Sequence, residues 1–420
     1  MEWPTVPLEK VADINPKHGI WDHLAEDEAV TFVPMQAVSE YTASIEASDV
    51  RPLREVRRGF TPFQERDVLF AKITPCMENG KVAIARDLLH GVGFGSTEFH
   101  VLRAGPALLP EYLYYFVRQP AFRSAAKQQM RGGAGQQRVP ELFLRKETIP
   151  VPPLSEQRRI VEILDQADRL RRLRAEADAK FDRILPALFI KMFGDPATNP
   201  MGWPVRSLGE LCAVVSGATP KTNVPEYWGG EIAWATPKDL SGLDDWVLES
   251  TERTLTEEGL GSCSATMTPT EAVLLSSRAP IGLVALAGIP ICTNQGVKSL
   301  VCRRDLDPWY LFAWCKLRRG YLESLGRGAT FKEISKRILE SVPIPIPPID
   351  AQQRLRTCLQ ILRLQRLEGK KVRDRISELF TVLLQRAFSG SLTAAWREAH
   401  MRELLQEMEA QVKVLEVACT

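Results

Sequence analysis

Two long stretches of the chain space their apolar residues in alternating steps of three and four. The first runs Ile160, Ile163, Ala167, Leu170, Arg174, Ala177, Phe181, Ile184, Leu188. The second runs Leu355, Cys358, Leu362, Gln365, Gly369, Val372, Ile376, Leu379, Leu383. That is the heptad spacing of long helices with one apolar seam. Both stripes break at the same place, Arg174 and Gly369. A proline-rich segment precedes each helix and sets a sharp start. Ser155 and Asp350 are the predicted N-caps. A helix of about 35 residues is roughly 50 Å long. The two stripes are expected to bury each other in an antiparallel pair, with Pro186 kinking or interrupting the first helix.

The helices belong to a larger repeat. Ile149-Pro150-Val151-Pro152-Pro153-Leu154 recurs as Ile344-Pro345-Ile346-Pro347-Pro348-Ile349, and Gln157-Arg158-Arg159-Ile160 as Gln352-Gln353-Arg354-Leu355. Upstream, Trp3-Pro4 and Leu8-Glu9-Lys10-Val11 are echoed by Trp203-Pro204 and Leu208-Gly209-Glu210-Leu211. A globular domain followed by a helix is therefore written twice, too long a period for a solenoid. The copies differ at the helix entry, where Ala351 and Gln353 replace Glu156 and Arg158.

The globular halves read as mixed α/β. β-like runs at 67–73 and 271–277 are each followed by a second apolar run, Val82–Ala85 and Leu283–Leu286. The stretches Tyr112–Phe122 and Trp309–Leu317 have helical character. A Gly-rich basic loop follows each: Arg131-Gly132-Gly133-Ala134-Gly135-Gln136-Gln137-Arg138, and Gly326-Arg327-Gly328-Ala329-Thr330-Phe331-Lys332. Glycine lets backbone approach a partner closely, and Arg and Gln pair bidentately with guanine and adenine edges. The alternative is a solvated, charged turn. The fold class is α+β: two similar mixed α/β domains joined by two long antiparallel coiled-coil helices, a pseudo-two-fold internal repeat.

Composition narrows the function. Apolar residues make up 45% of the chain and charged residues 25%, as in ordinary globular proteins. No apolar run is long enough to span a membrane, the start lacks the pattern of a secretory signal, and a cytoplasmic location is expected. The eight cysteines are scattered without a Cys-x-x-Cys pair, so neither a zinc site nor a disulfide framework is expected. Net charge is +2, so any nucleic-acid contact must come from local basic patches. Residues 354–375 form one such patch, with eight Lys/Arg against two acidic residues, suited to DNA phosphate or an acidic partner. No phosphate-binding Gly-x-x-x-x-Gly-Lys-Ser/Thr motif occurs, and Asn199-Pro200-Met201 is not the Asn/Asp-Pro-Pro-aromatic motif of an amino-methyltransferase. Catalysis is not expected.

The ordered series of phrases resembles the specificity subunit of type I restriction–modification systems. The helix entry 149–160 carries it first. The second half follows with Trp203-Pro204, Leu208-Gly209-Glu210, Ser216-Gly217-Ala218-Thr219-Pro220 and Tyr227-Trp228-Gly229-Gly230-Glu231-Ile232. Trp234, Lys238-Asp239-Leu240, Thr256–Leu260, Ser277-Arg278-Ala279-Pro280-Ile281-Gly282, Thr293-Asn294-Gln295-Gly296 and Phe388–Thr393 complete it. The resemblance implies two target-recognition domains (1–150 and 199–345), two spacer helices (151–198 and 346–392) and a C-terminal helical tail (393–420). Each domain would read one half of an asymmetric, split double-stranded DNA site. The spacers would act as a ruler and carry two methyltransferase subunits, with two restriction–translocase subunits completing the complex. S-adenosylmethionine, ATP and Mg would then sit on the partners, with no cofactor or metal in this chain.

Candidate DNA-binding residues are Lys72, Lys81, Arg131, Gln136, Gln137 and Arg138 in the first half. In the second half they are Lys221, Lys238, Arg278, Asn294, Gln295, Arg327, Thr330, Lys332 and Lys336. A coiled-coil adaptor that assembles proteins without reading DNA is the other class, as is a modification-only system using the same subunit. The tail stripe Trp396, Met401, Leu404, Leu405, Met408, Val412, Leu415 is expected to pack on the spacers or on a methyltransferase subunit.

Overall fold

The computed structural model describes residues 3–17, 21–133, 135–327 and 332–417, the last six by backbone alone. The chain forms two compact units, Met1–Glu176 with Val372–Thr420, and Ala177–Lys371. Each holds one globular domain, the start of one spacer helix and the end of the other.

The two domains share a plan. In the first, the main sheet is antiparallel in the order Ala12–Ile14, Phe99–Ala104, Val68–Ala71, Val82–Ile84. A second sheet has the order Asp49–Pro52, Ala29–Val33, Val92–Gly95, Thr61–Gln64, its middle pair parallel. The second domain repeats the main sheet as Cys212–Ser216, Val297–Cys302, Val273–Ser276, Val284–Ala287, with Val247–Leu248 added at the edge. Its smaller sheet runs Arg253–Leu255, Trp228–Ala235, Cys292–Thr293, again with one parallel pair. The expected runs at 67–73 and 271–277 are thus the central strands of the main sheets. They are buried on both faces, which explains their unbroken apolar character.

Helix Pro110–Arg118 buries Tyr112, Leu113 and Tyr115 against the first main sheet, and Pro308–Leu317 buries Tyr310, Phe312 and Trp314 against the second. The helix expected over Tyr112–Phe122 is two helices, the second being Pro120–Gln128. Pro120 forces the preceding Gln119 into extended backbone, with ψ of 136°.

The spacers are helices Leu154–Phe181 and Ile349–Phe388, the first followed by Ile184–Phe193. The interruption sits one turn before Pro186, because a proline ring clashes with the carbonyl four residues earlier, here that of Asp182. Within each unit the helix ends run antiparallel. In the first, Ile160 and Leu164 share a core with Leu384 and Ala387, and Arg171 lies 4.6 Å over the Phe380 ring. In the second, Leu185 and Phe189 share a core with Leu355 and Leu359, and Asp182 pairs with Arg366.

Three expectations need correction. Ser155 and Asp350 do not cap the spacers, which begin one residue earlier; the amides of Gln157 and Gln352 donate to the carbonyls of Pro153 and Pro348. The predicted seam is only partly buried: Leu170 is 50% exposed and Leu379 49%. Near the domains the buried arc is set by the globular core as well as the other helix, so Val161, Leu164, Phe380 and Leu384 take those places. The part of the basic run 354–375 that lies in the second unit is partly neutralised there. Arg356 pairs with Glu271 and Asp307, Arg363 with Asp245 and Glu249, and Lys370 with Asp244.

The proline-rich repeat joins domain to spacer. Thr148–Pro150 pairs with Thr5–Pro7, and Pro343–Pro345 with Val205–Ser207. Tyr112 Oη donates to Pro150 O at 3.0 Å, and Tyr310 Oη to Pro345 O at 2.7 Å. The fully buried Gln157 accepts from Leu109 N and donates to Ala107 O and Pro152 O, each at 2.9 Å. Gln352 does the same with Asp307 N, Asp305 O and Pro347 O. Proline carbonyls keep both lone pairs, so the motif supplies acceptors where a helix must be tied to a domain.

At the first entry the tail adds contacts. Fully buried Glu156 accepts from Thr393 Oγ1 at 2.6 Å, Arg397 Nε at 2.8 Å and Trp3 Nε1 at 3.0 Å. From tail helix Met401–Val417, Glu407 accepts from Ser155 N and Ser155 Oγ. A carboxylate at a helix N-terminus satisfies free amides and suits the helix dipole. Leu404 is buried; the side chains of Val412 and Leu415 lie outside the described residues.

Candidate nucleic-acid interface

In the first domain the candidates converge where the central strand Val68–Ala71 ends. The chain turns through Thr74–Pro75, a cis peptide, and returns at Lys81, whose carbonyl accepts from Ala71 N at 3.1 Å. The basic loop is a hairpin closed by the Arg131–Arg138 bridge, and Arg138 also bridges to Ile73. Lys72 N donates to Glu98 O, and Lys72 O accepts from Val139 N, both at 2.9 Å. Lys72, Lys81 and the hairpin are therefore neighbours.

Their side chains are engaged differently. Arg131, Gln136 and Gln137 are exposed. Arg138 donates from Nη1 to Gln136 O at 3.1 Å and, from Nε and Nη2 on one edge of its fork, to Glu98 at 2.9 and 2.8 Å. That hydrogen bonding holds the Glu98 carboxyl below its usual range. Lys81 Nζ lies 3.3 Å from Met35 O. Beneath the hairpin, buried His100 donates from Nε2 to Val139 O at 2.8 Å and takes Asn15 Nδ2 on Nδ1 at 3.0 Å.

The second domain repeats this frame with the charges exchanged. Strand Val273–Ser276 leads into Ser277-Arg278 and a cis Ala279–Pro280 bond. Glu333 bridges to both Arg327 and Arg278, as Arg138 does to Arg131 and Ile73. Ser277 N donates to Gly296 O, and Ile334 N to Ser277 O. The Glu333 carboxylate accepts from Arg278 Nε at 3.0 Å and lies 3.7 Å from Lys298 Nζ. Burial pushes the Lys298 ammonium below its usual range, and Glu333 opposes the shift. Arg327 and Lys332 are exposed; Thr330 lies outside the described residues.

The remaining candidates other than Lys336 gather at the smaller sheet, while the Lys336 helix packs beside the main-sheet edge strand Cys212–Ser216. Thr219 Oγ1 donates to Gln295 Oε1, and Asn294 N donates to Ala235 O at 2.9 Å. Gly217 is required here: a Cβ would come within 2.1 Å of Asn294 O and 2.2 Å of Thr293 O. Exposed Lys221 accepts through its carbonyl from Trp228 Nε1 at 3.2 Å. Lys238 is paired with Glu252 at 2.6 Å, and Lys336 with Glu340 at 3.7 Å. Lys336 sits at the start of helix Lys336–Glu340, which the Ser335 hydroxyl caps.

Sequence reasoning missed the carboxylates Glu98 and Glu333, since nothing local marks a residue opposite a hairpin. It also missed Arg253, whose guanidinium lies 3.5 Å from the Trp228 ring centroid and 5.6 Å from that of Trp234. No helix among the described residues is long and apolar enough to cross a membrane. No group of three or more His, Cys, Asp or Glu among them could hold a metal ion.

Comparison with known proteins agrees with this build. The chain is 36% identical over 181 residues to the specificity subunit of the type I restriction enzyme MjaIX of Methanocaldococcus jannaschii, covering 43% of this chain and 42% of that one. It is 38% identical over 161 residues to the EcoAI specificity subunit of Escherichia coli, covering 38% and 26%. These matches span less than half the length of either relative. A chain from a structure titled for complex assembly and conformational transition of the type I R-M system shares the fold. Its TM-score is 0.57 at 22% identity, over 93% of this chain and 98% of that one. The family model described as the type I restriction modification DNA specificity domain matches residues 1–179 and again 200–372. Matched twice along most of its length, once for each copy of the repeat, the chain belongs to the type I restriction–modification DNA specificity domain family.

Proposed function

We propose that this chain is the DNA-reading subunit of a type I modification or restriction complex and does no chemistry itself. Each globular domain reads one half of a split site, and the spacer helices set the distance between the halves. The observation that carries this reading is one scaffold built twice with different exposed donors. The first domain offers Arg131, Gln136 and Gln137; the second offers Lys221, Gln295, Arg327 and Lys332. Different donors on the same frame call for different half-sites, so the target is asymmetric. Lys72, Lys81, Asn294, Lys238 and Lys336 stay in the candidate set as phosphate or base contacts, and Thr330 on its sequence position alone. Arg138 and Arg278, held by carboxylates, position the hairpins.

Two methyltransferase subunits would dock on the spacers and supply S-adenosylmethionine chemistry; restriction subunits would bring ATP and Mg. Exposed apolar side chains on the helices support a docking role: Leu170, Leu173, Val372 and Val382 in one unit, Ile361 and Leu364 in the other. Co-expression with a methyltransferase subunit of the same system, followed by mapping of modified bases across a genome, tests the whole reading. A single asymmetric bipartite motif with a fixed spacer is expected. A stable complex that marks no motif would leave an adaptor in its place.

A further inference from the structure

The second domain carries an arginine that its sequence phrases do not advertise. Arg253 opens the edge strand of the smaller sheet and is paired in register with Trp234. Trp228 and Trp234 meet edge to face, with centroids 5.0 Å apart, and the Arg253 guanidinium carbon lies over the first, 3.5 Å from its centroid. Both indole N–H groups are tied down by one loop: Trp234 Nε1 donates to Ala218 O at 3.0 Å, and Trp228 Nε1 to Lys221 O at 3.2 Å. That loop also carries Thr219, bonded to Gln295. Three segments distant in sequence thus present Lys221, Gln295 and Arg253 on one surface.

The first domain has a similar stack, with Arg51 3.8 Å over the Phe32 ring, but there Arg51 donates to Asp49 at 3.0 Å. Arg253 has no carboxylate partner among the described residues and is exposed. Stacking on an indole fixes the guanidinium plane and restricts its rotamers without using its N–H groups. A planar fork held this way matches the O6 and N7 acceptors of guanine in the major groove. A lysine at this position would keep the charge and lose the fork.

We propose that Arg253 is a base-reading residue of the second domain, held on its two tryptophans to recognise a guanine. The proposal rests on the DNA-reading function above. The test uses the complex with its methyltransferase subunits and a panel of duplexes substituted one base pair at a time across the wild-type motif. In Arg253→Ala and Arg253→Lys, discrimination at one G·C pair of one half-site should fall roughly tenfold or more, with the other half-site read as before. The lysine variant keeps an aliphatic stem over the rings, so its failure would not reflect a lost core. Unchanged discrimination at every position, even with uniformly weaker binding, would overturn the assignment and leave a phosphate contact or a cover for the rings. A wild-type complex with no sequence preference would instead overturn the DNA-reading function, and this proposal with it.

Discussion

His100, beneath the first Gly-rich basic hairpin, couples local structure to pH. Burial lowers its pKa from the ordinary 6.5, and the hydrogen bond to Val139 O only partly opposes this. Its Nδ1 must stay unprotonated to accept from Asn15. The folded state therefore binds fewer protons than the unfolded one just below about pH 6.5. The stability contributed is present above that pH and lost as pH falls through the window. His100→Gln should melt with a shallower pH dependence between pH 7.5 and 5.5 than the wild type; parallel curves would remove His100 from this role. Gln157 and Gln352 belong to the same scale. Replacing Gln352 with alanine strands the Asp307 amide, and the expected loss is about 1–3 kcal/mol by chemical denaturation. Gln157→Ala should cost less, because Gln411 also donates to Ala107 O and Pro152 O.

Elements in this chain are keyed to one another by ion pairs, buried in the first copy and half-buried to exposed in the second, and the two copies use opposite polarity. On the first spacer, Asp168 accepts from Arg118 at 2.8 Å and is flanked by Arg171 and Arg172. Burial alone would raise that carboxyl; the three guanidiniums outweigh it and hold it below the usual range. The second spacer carries Arg363 at the matching place and takes Asp245 and Glu249 from its own domain. The tail is an element with one docking place, because only the first copy has the glutamate. Removing Arg397 leaves Glu156 buried and short of its cation, which costs about 3–5 kcal/mol at sites of this kind. Arg397→Ala should raise hydrogen exchange in residues 394–411, while the second domain keeps its protection. Protection unchanged in the tail would show that Leu404 and Glu407 suffice. Truncation after Thr393 tests whether the tail also serves assembly: undiminished methyltransferase co-purification would confine it to this chain.

On the scale of the whole molecule, the proposed function makes the spacer length a property of the DNA target. Four residues add about one turn, roughly 6 Å. Inserting them into the first spacer, between Glu176 and Phe181, with a matching insertion in the second, should change the preferred gap between half-sites. Both half-site sequences should persist. A variant that still marks the original spacing would remove the ruler from the mechanism.

The amino-acid order alone determined the duplication, the spacer helices and the family resemblance, because these rest on periodicity and on proline and glycine at fixed offsets. It also marked both Gly-rich basic loops, since Gly and Arg/Gln cluster locally. Tertiary structure decided which residues of those elements stay free. Arg138 and Arg131 stand in one loop, yet only Arg138 meets Glu98 from a distant strand. Leu379 and Phe380 are sequence neighbours, but the domain core selects Phe380 for burial. Arg253 became visible only when strand pairing set it against Trp228 and Trp234. Local pattern reports what a residue is able to do; long-range pairing determines which partner it has, and therefore whether its donors remain available to a ligand.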